Sequence, residues 1–289
     1  MPFTRPTLTA RLPALLALLI VSGALTRPAM AAFESLFAPK AELWGRWTAH
    51  DPASKIRIDH GAWDHFLKRY VARGADGINR VAYAAVTQAD KQSLDAYVGR
   101  LAATKVSTLN RAAQRAYWIN LYNALTLKVV LARYPVASIR DIDISPGLFA
   151  DGPWDRKLVT IEGAKVSLND IEHRILRPIW RDPRLHYALN CASLGCPNLR
   201  REAYTAANTE ALLDAGARDY VNHPRGVSIK GSDLTVSSIY VWFKPDFGGS
   251  DAGVIAHLRR YAAPGLAKKL GRTSSIGRHV YDWRLNDRK

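Results

Sequence analysis

The residues best suited to carry out chemistry lie close together in residues 185–197, which read LHYALNCASLGCP. This stretch contains both cysteines of the chain, Cys191 and Cys196, and His186 precedes the first of them by five positions. A cysteine becomes a strong nucleophile when an imidazolium or hydrogen-bond donors lower the pKa of its thiol. The stretch therefore indicates either a nucleophilic cysteine or a disulfide that fixes the turn.

A nucleophilic Cys191 needs a base, and the sequence offers His186 and His173 for that role. The base in turn needs a polar group that holds its ring in place. Glu172 adjoins His173, but consecutive residues of a helix point about 100° apart, so Glu172 is expected to serve His186 or an arginine instead. Asn120 or Asn123 could orient the base instead, as an amide does in papain-like sites, and Asn123 is the one included in the predicted site. Together these residues predict a hydrolase or acyltransferase acting on a peptide-like or other envelope substrate.

Two other interpretations of the same residues stay open. The only two cysteines of an exported chain are expected to pair, which would make the protein a non-catalytic binding or scaffolding domain with a structural Cys191–Cys196 disulfide. Their spacing is not the Cys-x-x-Cys of thioredoxin-like proteins. His173, His186 and the two thiols form a set that zinc accepts, but their spacing matches no familiar zinc pattern. The sequence therefore predicts no metal and no other cofactor.

The N-terminal residues have the features of a secretory signal peptide. Arg5 and Arg11 precede an apolar run over residues 12–25, and Ala29-Met30-Ala31 supplies the small residues of a cleavage site. The run is shorter than the roughly 20 residues of a membrane span. We expect cleavage after Ala31 and a periplasmic or secreted mature protein without a transmembrane segment.

The mature chain is strongly basic. The sequence has 41 Lys+Arg and 25 Asp+Glu, and cleavage removes Arg5, Arg11 and Arg27, so the net charge becomes 41 − 3 − 25 = +13. The basic residues are scattered rather than clustered beside aromatic residues, as nucleic-acid binding would require. We therefore expect a small-molecule or peptide partner, no nucleic acid, and at most weak attraction to anionic envelope polymers.

The hydrophobic pattern predicts a single α+β domain over residues 32–289, mostly helical, with its core at about 63–286. Its longest element is a helix over residues 108–134 that is apolar on nearly every face and therefore buried. Asn120 and Asn123 share one side of it, facing either neighbouring backbone or a site. Further helices are expected from residues 59 and 90, over 167–176 with an end before Pro178, and over 208–221 and 252–261. A small antiparallel sheet is expected in the second half, from a hairpin at 227–236 and a strand at 279–285.

Several of these segments resemble one known family. The blocks AYWINLYNALTL, SLNDIEHRILR, DPRLHYALNCASLGCPNLR and the terminal YDWRLN are similar to the domain-of-unknown-function 547 family over roughly residues 63–286. The resemblance implies a family cysteine at Cys191, a histidine at His186 and a Glu-His pair at Glu172-His173, but no particular activity. Because some plant members replace the second cysteine, it also implies that a disulfide to Cys196 is not required throughout the family.

Overall fold

The computed structural model describes residues 38–146 and 152–288, so the expected signal peptide at 1–31 lies outside the described residues. Helices predominate over short strands, which confirms the α+β class. The helices are α1 (Gly61–Tyr70), α2 (Gln88–Ala103), α3 (Arg111–Arg133), α4 (Arg177–Trp180), α5 (Thr209–Val221), α6 (Ile239–Trp242), α7 (Asp251–Tyr261) and α8 (Pro264–Leu270). No helix of the described residues is both long and apolar enough to cross a membrane.

The predicted central helix is α3. The side chain of Asn110 caps its N-terminus by accepting a hydrogen bond from the Ala113 N–H, and the helix ends before Pro135. Its middle is buried on every side, with Tyr117 and Trp118 fully enclosed, and both α2 and α5 pack against it. The elements around the candidate site are therefore built on a rigid, solvent-free helix.

The strands form three small sheets. Two are antiparallel hairpins, β1 (Val71–Arg73) with β2 (Asn79–Val81) and β3 (Val159–Ile161) with β4 (Ala164–Val166). The third lies in the second half, as predicted, and contains β5 (Val227–Lys230), β6 (Asp233–Ser237) and β7 (Arg278–Val280). β5 pairs antiparallel with β6, whereas β7 pairs parallel with it, so this sheet is mixed.

The segment that carries Glu172 and His173 is π-helical over Asp170–Leu176 and continues directly into α4. The prediction that this helix ends before Pro178 is wrong. Proline lacks an N–H, and the Arg177 N–H bonds to the Glu172 carbonyl, so the carbonyls of His173 and Arg174 need other donors. The N-terminal arm supplies them, because the backbone N–H groups of Glu42 and Trp44 donate to these two carbonyls at 2.9 Å.

Apolar side chains form two clusters. The larger surrounds α3, and the smaller lies between α5, the β5–β6 hairpin and α7. The C-terminal residues after β7 do not continue as the predicted strand to 285. They make single bridges instead, pairing Ser193 with Leu285 and Ser138 with Arg284. This segment therefore runs along the cysteine loop, where the two clusters meet.

Candidate active site

A cavity of about 540 Å³ opens at this junction, a size typical of small-molecule sites. Four of the five residues predicted from the sequence line it: Glu172, His173, His186 and Cys191. The other lining residues are mainly aromatic or polar, namely Tyr122, Arg140, Trp154, Asp155, Asn169, Ile239, Trp242, Phe243, Tyr281 and Trp283, with Ala38, Pro39, Leu189 and Cys196.

Asn123 does not contact either histidine but holds the cysteine loop. Its Nδ2 donates to the Ala188 carbonyl at 2.9 Å, and its Oδ1 accepts from the Asn190 N–H at 2.9 Å. Asn120 does the same for another segment, bonding both the N–H and the carbonyl of Tyr204. Both amides thus join α3 to neighbouring backbone, and the orienting role considered for Asn123 falls to a different residue.

The loop itself is tightly constrained around Cys191. Ala192 has a φ of 60°, a left-handed conformation that is unfavourable for a residue with a Cβ. Its N–H donates to the Asn190 side chain at 2.9 Å, and its carbonyl accepts from the Asn286 N–H at 3.0 Å. A Cβ at Gly195 would lie 2.7 Å from the Asp282 nitrogen, so only glycine permits this approach of the C-terminal segment.

The Cys191 thiol has three side-chain neighbours. Its Sγ lies 2.9 Å from the Cys196 Sγ, 3.1 Å from the Tyr281 hydroxyl and 3.3 Å from the Ser193 hydroxyl. Both cysteines are free, and their sulfur separation exceeds the roughly 2.05 Å of a disulfide bond, so the disulfide stays a prediction. Neither histidine hydrogen-bonds to this thiol among the described residues.

The two thiols differ in acidity. The hydrogen bond to Cys196, assisted by those to Ser193 and Tyr281, lowers the pKa of Cys191, although burial and the nearby Glu172 charge act in the opposite direction. Burial raises the pKa of Cys196 well above its ordinary value. Cys191 is also the more exposed of the two, so it is the thiol available for reaction.

His186 is held by a carboxylate that sequence reasoning missed. Its Nε2–H donates to Asp246 Oδ2 at 2.7 Å, and its ring stacks on Phe243 at 4.5 Å between centroids. The Arg177 Nε also donates to Asp246 Oδ2, at 2.6 Å. Burial alone would raise the pKa of Asp246, but these two hydrogen bonds outweigh it and hold the pKa well below its usual range. The second ring nitrogen of His186, Nδ1, lies 3.7 Å from Glu172 Oε1.

The surroundings of His173 keep its ring neutral. Arg177 Nη1 donates to His173 Nδ1 at 2.9 Å, and because an arginine cannot accept, that nitrogen carries no proton. Burial lowers the pKa of His173 to about 4. The ring is therefore neutral at pH 7, with its proton on Nε2.

Two residues of the site, Asp246 and Tyr281, were not predicted, although both lie in distinctive segments of the sequence. Asp246 lies in the Pro-Asp-Phe-Gly-Gly loop and Tyr281 in the terminal YDWRLN block. Neither spacing indicates contact with the cysteine loop, because Asp246 is 60 positions from His186 and Tyr281 is 90 from Cys191. Among the described residues, no group of three or more His, Cys, Asp or Glu side chains is arranged to hold a metal ion.

The fold and the cavity define a helix-rich α+β domain with a thiol, an Asp–His pair and an aromatic wall around one site. Residues 106–221 match the model of a family described as a protein of unknown function, DUF547. The matched stretch includes α3, the π-helical segment and the cysteine loop, so the match confirms the predicted resemblance over these residues. Asp246 and Tyr281 lie outside it. No curated protein and no solved structure matched the chain.

Proposed function

We propose that the protein is a cysteine-dependent hydrolase or acyltransferase in which Cys191 attacks the carbonyl carbon of an ester or amide. The observation that carries the proposal is the His186–Asp246 pair, which shares a cavity with a thiol whose pKa is lowered. A thiol, an imidazole and a carboxylate that holds the imidazole are the groups that acyl transfer requires.

His186 is the base in this mechanism. Because its Nε2–H donates to Asp246, Nδ1 is the atom that accepts a proton. No hydrogen bond joins the Cys191 thiol to the His186 ring among the described residues, so in this mechanism the proton passes through one water molecule or through a substrate that brings the two groups together. The Cys191 sulfur then forms a bond to the carbonyl carbon, the bond from that carbon to the alcohol or amine breaks, and His186 gives its proton to this leaving group. Water or an acceptor nucleophile then attacks the thioester, with His186 taking its proton, and the Cys191 thiol is restored. Glu172, at 3.7 Å from Nδ1, stabilises the imidazolium that forms.

His173, the second candidate base, is assigned a different role. A ring with a pKa of about 4 and an Nδ1 that accepts from Arg177 is a poor proton acceptor at neutral pH. Its Nε2–H remains a hydrogen-bond donor. We assign His173 to binding the carbonyl oxygen of the substrate, where negative charge develops.

The N-terminal sequence pattern supports a location outside the cytoplasm. The proposed substrate is a peptide-like or other envelope molecule, and the basic character of the chain favours residence near anionic envelope polymers. Oxidising conditions there would allow Cys191 and Cys196 to pair, so the proposal requires the reduced form of the protein.

An acylation experiment with p-nitrophenyl acetate tests the proposal. Reduced protein should release nitrophenol and carry an acetyl group on Cys191, located by peptide mass spectrometry. Asp246→Asn should slow acetylation roughly 10²-fold or more, because it removes the carboxylate that holds His186. Asp233→Asn, a change at an exposed hairpin residue, is the matched control and should react like the wild type.

The same experiment can reject the proposal. Release of nitrophenol at the wild-type rate by Cys191→Ala would show that the thiol is not the nucleophile. A protein that is purified without reductant, contains no titratable thiol and loses stability on the same substitution would instead favour the binding or scaffolding alternative with a structural disulfide.

A further inference from the structure

We infer that the cavity selects substrates with a cationic ammonium group close to the carbonyl that reacts. This inference rests on the proposed function of Cys191 and names the substrate class of the same site. It follows from the arrangement of three aromatic rings, one carboxylate and the thiol.

The aromatic wall consists of Trp242, Tyr281 and Trp283, all half-buried at the cavity. The centroid of Trp242 lies 4.9 Å from that of Tyr281 and 5.8 Å from that of Trp283, and Tyr281 and Trp283 are 4.7 Å apart. The Tyr281 ring is inclined by 51° to one tryptophan and 55° to the other. Inclined rings present their negative faces from more than one direction, which suits a compact cation.

This wall already contacts one cation of the protein. The guanidinium of Arg140 lies over the Trp283 ring, 5.4 Å from its centroid. The guanidinium of Arg140 therefore covers one face of Trp283, the outer ring of the wall, and this contact shows that the wall can bind a positive charge. We place the substrate ammonium on Trp242 and Tyr281.

Tyr281 is the residue of the aromatic wall that contacts the proposed nucleophile, Cys191. The Tyr281 hydroxyl is 3.1 Å from the Cys191 sulfur, and the ring extends from there to Trp242. An ammonium group bound on these rings is therefore only a few bonds from a carbonyl placed at the thiol. Choline-type esters and amides, or acyl groups with a nearby amine, have this spacing.

Glu172 supplies the complementary charge. Its side chain is 12 % exposed, and the only charged partner of its carboxylate within 4.0 Å among the described residues is His186 Nδ1, at 3.7 Å. Carboxylates nearby are paired differently, since Asp246 contacts the Arg177 guanidinium. The Tyr122 hydroxyl hydrogen-bonds to this carboxylate, but a largely buried carboxylate without a Lys or Arg partner is still costly, and a bound cation lowers that cost.

A neutral sugar is the other ligand that aromatic walls accept, but it needs several free hydrogen-bonding groups. Here most polar groups bond to one another: Ser193 donates to Tyr281, Asn169 donates to Asp155, and His186 donates to Asp246. Apart from the His173 Nε2–H and the Arg140 guanidinium on the outer ring, the cavity thus offers aromatic faces and the Glu172 carboxylate rather than a large set of donors and acceptors.

A pair of isosteric probes tests the inference without relying on turnover. Choline and 3,3-dimethylbutan-1-ol have the same shape and differ in charge. Binding to reduced full-length Cys191→Ala is measured by calorimetry and by tryptophan fluorescence. Choline should bind roughly tenfold more tightly than the neutral alcohol, and Glu172→Gln should remove most of that preference. Glu202→Gln, at an exposed position, should retain it.

Equal affinity for the two probes would overturn the inference, as would preferential binding of N-acetylglucosamine oligomers. The comparison of the two probes on Cys191→Ala does not depend on Glu172→Gln, so it stands even if that second variant fails to fold. With wild-type protein, acetylcholine should acylate Cys191 faster than 3,3-dimethylbutyl acetate. If p-nitrophenyl acetate acylates Cys191 but this preference is missing, the inference fails while the proposed function survives.

Discussion

Cys191 depends on hydroxyl and thiol neighbours, rather than on an adjacent imidazole, for its acidity. Cys196, Ser193 and Tyr281 surround its sulfur within 3.3 Å. In this respect the site differs from a Cys–His pair in direct contact, where the imidazolium holds the thiolate. The reactivity of Cys191 in the free protein should therefore respond to loss of a hydroxyl.

Tyr281→Phe tests this dependence. Removing the hydroxyl eliminates one of the hydrogen bonds that lower the pKa of Cys191, so the pKa should rise. Alkylation of the reduced protein by iodoacetamide at pH 7 should slow several-fold, with the rate recovering at higher pH. The measurement is a pH–rate profile with Cys191 located by mass spectrometry.

Tyr134→Phe is the control for that substitution. It removes a hydroxyl that contacts Asp287 and does not line the cavity, so the profile should match the wild type. An unchanged profile for Tyr281→Phe would mean that its hydroxyl does not stabilise the thiolate.

At the scale of elements, α3 positions the cysteine loop through a single amide, and the chain offers a matched pair to test this. Asn123 and Asn120 are both buried and each makes two hydrogen bonds to backbone. Replacing either by alanine leaves two buried backbone groups unpaired and should lower the free energy of unfolding by about 2–4 kcal/mol. Only Asn123→Ala should also change the alkylation rate of Cys191, because only Asn123 holds residues 188–190.

Chemical denaturation measures the free energy of unfolding of both variants, and iodoacetamide measures the alkylation rate of Cys191 in each. If Asn120→Ala alters the Cys191 rate as much as Asn123→Ala does, the effect is a general loosening of the fold. In that case the loop is not positioned specifically by Asn123.

The sequence predicted elements whose signals are local and missed those set by distant contacts. The helix α3 was predictable because its signals are local: the apolar residues lie within it, Asn110 caps its start and Pro135 follows its end. The continuation of the π-helical segment through Pro178 was not, because it depends on donors from Glu42 and Trp44. The parallel pairing of β7 also has no local signal.

The same distinction holds for the site. Cys191 and His186 are neighbours in sequence, and the Glu172-His173 pair lies on one short segment, so composition and motif could identify them. Asp246 is brought to His186 only by packing of the smaller apolar cluster. Residue type did not distinguish it from other acidic loop residues.

At the scale of the whole molecule, burial of histidines links stability to pH. Burial lowers the pKa of His60, His173 and His257 from 6.5 to about 4. The unfolded chain therefore binds more protons than the folded protein between pH 6.5 and 4. The contribution of these histidines to the free energy of unfolding is fully present above pH 6.5 and is lost as the pH falls towards 4. None of the three histidines is among the causes of another's pKa shift, although His173 and His257 are both near His186, so their contributions should add to a first approximation.

We expect the free energy of unfolding, measured by urea denaturation, to fall on the order of 5 kcal/mol between pH 7 and pH 5 if all three histidines contribute. His257→Gln should reduce this fall by about one third, because one buried proton-binding site is removed while a polar group remains to face the Tyr187 hydroxyl. His65→Gln, at an exposed position, should leave the pH dependence unchanged. Stability that is constant from pH 7 to pH 5 would contradict the lowered pKa values, since each of them requires the folded protein to exclude a proton that the unfolded chain binds.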